Sequence, residues 1–213
     1  MRLLAWTPIA VGPEELGRRQ ARYDRLAPPQ VEVVLRDLAS AAPSAPSALE
    51  TQADVRTSEE ALLRAYRTSD PDGYDAFLPD CVLDPCMGSP DLSRPVLGLS
   101  RISSSFLGGQ GVTVGALARN QAIADELDRR LASYGVAREP TVVMHLGVKD
   151  ITDDEIWRQA VTAYAWKLDC VFALNACSAV DLGEPVAATV VVDPTALALR
   201  LLGIRVQLGG SAA

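Results

Sequence analysis

The chain has 213 residues, 48% of them hydrophobic, and carries 27 acidic against 20 basic side chains for a formal net charge of −7. That length and apolar content suit one large α/β domain or two small ones. The acidic balance argues against a nucleic-acid partner, no basic run is dense enough to bind a membrane surface, and no apolar run nears the length of a membrane span.

The N-terminus enters a strand within a few residues, without a charged-then-apolar leader, so a cytoplasmic location is expected. In that compartment the four cysteines are expected to be free. A single His leaves little room for a Ser-His-Asp triad, and Cys81 and Cys86 do not have zinc-type spacing. Neither a metal nor another cofactor is therefore expected. The expected partner is a small molecule, with a homo-oligomer left open.

In chain order, Arg2 to Trp6 is predicted as a strand and Pro13 to Tyr23 as a helix with Glu14, Glu15, Arg18 and Arg19 on a charged outer face. After Pro28-Pro29, Val31 to Leu35 is a second strand. Asp37 to Ala53, rich in Ala, Ser and Pro, reads as a long functional loop. A helix runs from Ser58, its N-cap, to Thr68. Ala76 to Leu78 is a short buried strand that Pro79 ends. Pro95 to Leu99 is a strand, Ser100 to Leu107 a helix, Val112 to Leu117 a strand, and Asn120 to Tyr134 a helix closed at Gly135. Then come a strand at Thr141 to His145, a helix at Asp153 to Lys167 and a strand into Cys177. Val186 to Val192 is a β-branched strand, and Pro194 to Leu202 a helix ended by Gly203. Such alternation predicts parallel sheets with helical crossovers. No Gly-x-Gly-x-x-Gly or phosphate-loop pattern comes after any strand, which counts against nucleotide binding.

Two segments share one design. Asp75 to Cys81 and Asp169 to Cys177 each run from Asp through apolar residues to a cysteine, and the two cysteines lie 96 residues apart. Each thiol falls just past a strand's carboxyl end, where open α/β sheets hold ligands. Two facing halves would set the thiols on opposite sides of one cleft. Asp84-Pro85 reads as a helix start, whose dipole would lower the pKa of Cys81.

The stretch Gly73-Tyr74-Asp75-Ala76-Phe77, together with Cys81 and Asp84-Pro85 after it, resembles the hydantoin racemase branch of the Asp/Glu/hydantoin racemase superfamily. Pro46 to Thr51, Pro95-Val96-Leu97-Gly98, Cys177, Val186 and Pro194-Thr195-Ala196 resemble further family segments in order. The resemblance implies an α/β fold of two pseudo-symmetric lobes, residues 1–97 plus 193–213 and residues 98–192. Each would be a mostly parallel sheet flanked by helices, with the active site in the cleft between them. It implies a cofactor-independent isomerase, a racemase or epimerase, in which Cys81 and Cys177 move protons at opposite faces of a carbon next to a carbonyl. Backbone N–H groups after each cysteine, such as that of Val82, would steady the developing enolate. Alternatives are a decarboxylase or cis–trans isomerase of the same fold, or an accessory protein whose thiols transfer no proton.

The chain departs from the family pattern at Thr7-Pro8-Ile9, Gly115-Ala116 and Ala176. Fewer polar anchors and more apolar wall suggest a different, bulkier substrate or a changed reaction. Thr7 and Ser178 are candidates to bind substrate oxygens. Arg119 reads either as a carboxylate partner or as a solvated helix-start residue, and His145 either as a site residue or as a hydrogen-bonded structural one. Cys170 reads as core, Cys86 as structural or as a redox partner of Cys81, and Trp157 as packing.

Overall fold

The computed structural model describes residues 1–182 and 189–209. Among these residues seven parallel strands form two separate sheets. In the first, β1 (Arg2–Trp6) lies between β2 (Glu32–Arg36) and β3 (Ala76–Phe77); in the second the order is β5 (Val142–Val143), β4 (Val114–Ala118), β6 (Phe172–Asn175), β7 (Val190–Val192). Helices α1 (Gly12–Leu26), α2 (Gln52–Thr68), α3 (Leu99–Gly108), α4 (Gln121–Ser133), α5 (Asp154–Ala165) and α6 (Pro194–Gly209) flank them. The central strand β4 is buried at every residue, as expected where helices cover both faces of a parallel sheet. After the second sheet the chain returns to the first, where Ala198, Leu199 and Leu202 of α6 share a core with Leu3, Ala5 and Tyr23.

Local capping sets several helix starts. Thr51 and Asp54 form a capping box on α2, Asn120 caps α4 and Asp153 caps α5. So α2 begins at Gln52 and not at Ser58. Ser58 lies inside α2, buried, and its hydroxyl donates to the Pro8 carbonyl. Pro95 to Leu99 is not a strand: Val96 makes one isolated bridge to Phe77, and Leu99 opens α3. Gly203 does not end α6 but lies within it; a Cβ there would come within 2.5 Å of the Pro28 ring, so close helix packing demands glycine. The part of the expected strand around Val186 lies outside the described residues.

Pro79 does not stop pairing with β1. Leu78 and Asp80 donate to the Leu4 and Trp6 carbonyls, while Pro79 occupies the alternate position, which faces away from β1. No helix begins at Asp84-Pro85. Asp84 has a left-handed backbone (φ 48°), and its buried carboxylate accepts from the N–H groups of Ser100 and Arg101 and from the Tyr134 hydroxyl. It thus serves the N-terminus of α3, with Ser100 lying 16 residues on. Gly98 is required beside it, since a Cβ would sit 2.6 Å from the carboxyl group.

Burial raises the Asp84 pKa from 3.8 to about 6 against the pull of these three donors. The folded state therefore binds the proton more tightly. This contribution to stability is full below about pH 4 and fades as pH rises through about 6. Some two pH units correspond to about 3 kcal/mol. Asp84→Asn is expected to remove that falling slope from urea-denaturation curves recorded between about pH 4 and 6.5, whatever its absolute stability. An unchanged slope would show that Asp84 does not titrate there.

Candidate active site

A cavity of about 70 Å³ opens at the carboxyl ends of β1, β3, β4 and β6. Its wall includes Pro8 and Ile9 after β1, Asp80 to Leu83 after β3, Arg119 after β4, and Ala176 to Ala179 after β6. Cys81 and Cys177, delivered by different sheets, therefore line the same cavity. Val82, Ser178 and Arg119 do so as well. A single water needs roughly 10–15 Å³, so the space has room for a small molecule.

Both cysteine segments are held by hydrogen bonds and ion pairs around the cavity. Asn175 donates to the Cys177 carbonyl and accepts from the Trp157 indole N–H. Arg22 of α1, buried, donates to the carbonyls of Ser178 (2.8 Å) and Val180 (2.9 Å) and pairs with Asp181 and Asp193. Arg19, one turn earlier, pairs with Glu15 and with Asp80, the residue before Cys81. Asp80 also accepts from the Tyr23 hydroxyl at 2.9 Å. The two segments then meet: the Ser178 hydroxyl donates to the Asp80 carbonyl at 3.0 Å. One helix and one cross-link thus set the two thiols relative to each other.

The two thiols are not equivalent. Burial pushes Cys81 far up; the neighbouring carboxylates Asp80 and Asp84 push it further, against the Leu83 N–H and Arg130. No helix dipole lowers it, contrary to the expectation from Asp84-Pro85. Burial also raises Cys177 and Asp80 adds to it, but the Ala179 N–H and the cations Arg19 and Arg22 oppose the rise. In each segment the N–H two residues after the cysteine favours the thiolate. Alkylation tracked residue by residue against pH by mass spectrometry is expected to set in at lower pH for Cys177 than for Cys81. The reverse order would mean that these charges do not govern thiol ionisation.

Other sequence candidates fall elsewhere. Thr7 does not line the cavity: it is fully buried, and its hydroxyl is spent donating to the Ile9 carbonyl and accepting from the Leu38 N–H. His145 is not part of the wall; it has φ 56° and lies beyond the short edge strand β5. Ser178 lines the wall, but its proton is committed to Asp80. Arg119 is neither solvated nor free: it pairs with Glu50 and donates to the Leu49 carbonyl. Arg19, Arg22, Asn175 and the cavity-lining Trp157 were not legible as site residues. Arg19 in particular reads as part of a solvent face until Asp80 is placed beside it. Among the described residues no group of three or more His, Cys, Asp or Glu could hold a metal ion, and no helix is long and apolar enough to cross a membrane.

No family model and no curated protein matches this sequence. Solved structures do resemble it. Allantoin racemase from Pseudomonas fluorescens superposes with a TM-score of 0.78 at 15% identity, covering 98% of this chain and 92% of that one. Allantoin racemase from Klebsiella pneumoniae gives 0.75 at 16% identity, covering 98% and 89%. Aspartate racemase from Picrophilus torridus gives 0.61 at 14% identity, covering 99% and 95%. With two parallel sheets flanked by helices and strand ends gathered around one cavity, the chain has the fold of these racemases.

Proposed function

We propose that this protein is a cofactor-independent racemase or epimerase acting at a carbon next to a carbonyl, with Cys81 and Cys177 as its two proton-transfer groups. The observation that carries the reading is that both thiols line one small cavity, each brought by a strand of a different sheet. Delivery from two different sheets suits two sides of a flat reacting carbon. The likeness in fold to allantoin and aspartate racemases agrees with it.

One thiolate takes the proton from carbon, so that a C–H bond breaks and an S–H bond forms. The C–H electron pair moves toward the carbonyl oxygen. The other thiol then gives its proton to the opposite face and becomes the thiolate, ready for the reverse reaction. The charge developing on oxygen needs donors that are already oriented. The N–H groups of Val82 and Ser178 form no hydrogen bond within the protein among the described residues and flank the two cysteines. Arg19 and Arg22 favour Cys177 as the first thiolate.

The test is incubation in deuterated water with single enantiomers of allantoin, 5-substituted hydantoins and small α-amino acids. Deuterium uptake at the α-carbon coupled to loss of optical activity is the expected result. Optical activity and hydrogen retained across that series would overturn the reading.

A further inference from the structure

We infer that Glu50 is a specificity-determining residue: by occupying Arg119 at the cavity wall it turns away carboxylate ligands and reserves the cavity for uncharged carbonyl compounds. This rests on the reading of the cavity as the substrate site. Among the described residues, two cations line the cavity, Arg19 and Arg119. Arg19 already meets two carboxylates, Glu15 at 2.6 Å and Asp80 at 2.9 Å. Arg119 Nη1 donates to both Glu50 oxygens, at 2.9 and 3.0 Å, and its Nη2 donates to the Leu49 carbonyl at 2.8 Å. An incoming carboxylate would shed its water and meet no uncompensated positive charge, so its desolvation goes unrepaid. An uncharged carbonyl compound sheds far less.

The two pairs are not equivalent. Asp80 is wholly buried and cannot leave Arg19 without stranding a charge. The Glu50 side chain is 47% exposed, whereas that of Arg119 is 4% exposed. The anion faces water and the cation faces the cavity, so Glu50 is the member that can be neutralised while the wall stays in place. Asn120 also holds the Leu49-Glu50 segment, donating from Nδ2 to the Leu49 carbonyl at 2.8 Å and to a Glu50 carboxylate oxygen at 3.1 Å. With Glu50 neutral, Arg119 Nη1 can turn to a carboxylate while Nη2 keeps the Leu49 carbonyl. Excluding the wrong ligand by a built-in like charge is a recognised route to specificity.

The experiment uses the isosteric pair lactate and lactamide, which differ mainly in charge, as probes at millimolar concentration and fixed ionic strength. Protection of Cys81 and Cys177 from iodoacetamide is measured by mass spectrometry in the wild type, Glu50→Gln and Glu50→Gln/Arg119→Gln. Lactamide is expected to protect the wild type better than lactate. In Glu50→Gln the preference should reverse, with lactate binding at least about tenfold more tightly than to the wild type, and the double variant should lose that gain. Lactate protecting the wild type and Glu50→Gln equally, or neither, overturns the role of Glu50. So does a gain that survives in the double variant, since it would not pass through Arg119. The site reading is judged separately, by deuterium exchange in the wild type, so an enzyme that racemises but whose Glu50→Gln variant gains no lactate binding refutes this inference alone.

Discussion

Cys81→Ser and Cys177→Ser are each expected to lower net racemisation by about 10²–10⁴-fold, the range that positioned acid–base groups contribute. Serine keeps roughly the size of cysteine, but its hydroxyl is far too weak an acid to supply a base in this buried site. Racemisation needs both faces of the carbon served, so the loss of either thiol stops it. Isotope exchange should divide the two variants. Each is expected to wash out the hydrogen of one enantiomer only, the one its remaining thiol faces, and the two variants should act on opposite enantiomers. Polarimetry and proton spectra in deuterated water read both quantities. Near-normal turnover in Cys177→Ser with a dead Cys81→Ser would sink the two-thiol mechanism and favour a one-cysteine reaction, such as decarboxylation or cis–trans isomerisation.

Asp80→Ala is expected to lower the free energy of unfolding by about 3–5 kcal/mol, because it leaves Arg19 short of its buried partner and the Tyr23 hydroxyl without an acceptor. Asp80 is fully buried and the Arg19 side chain nearly so, hence solvent cannot screen the stranded charge. Replacing both, as Arg19→Met with Asp80→Ala, should recover part of the loss, since no lone charge then remains. Urea denaturation at neutral pH measures each variant. A loss below about 1 kcal/mol for Asp80→Ala, the level of exposed pairs, would refute a structural role for this ion pair. Arg19→Met should also move the onset of Cys177 alkylation to higher pH, since Arg19 is one of the cations opposing the effect of burial on that thiol.

By itself the sequence determined the alternation of strands and helices, because apolar runs and helix-closing residues act over a few neighbours. It also determined that Cys81 and Cys177 come just after strands, and parallel strands deliver their downstream residues to one edge of a sheet. The tertiary structure alone decided which polar groups are used up inside. Arg19 and Asp80 are 61 residues apart, Arg22 and Ser178 are 156 apart, and Arg119 and Glu50 are 69 apart. No local periodicity records such partners, so Arg19 reads as a solvated face and Arg119 as a free cation. Asp84 misled for a related reason. An Asp-Pro pair favours a helix start locally, but the orphan N–H groups of α3 and the Tyr134 hydroxyl draw the carboxylate elsewhere, holding the backbone left-handed and leaving Cys81 without a helix dipole.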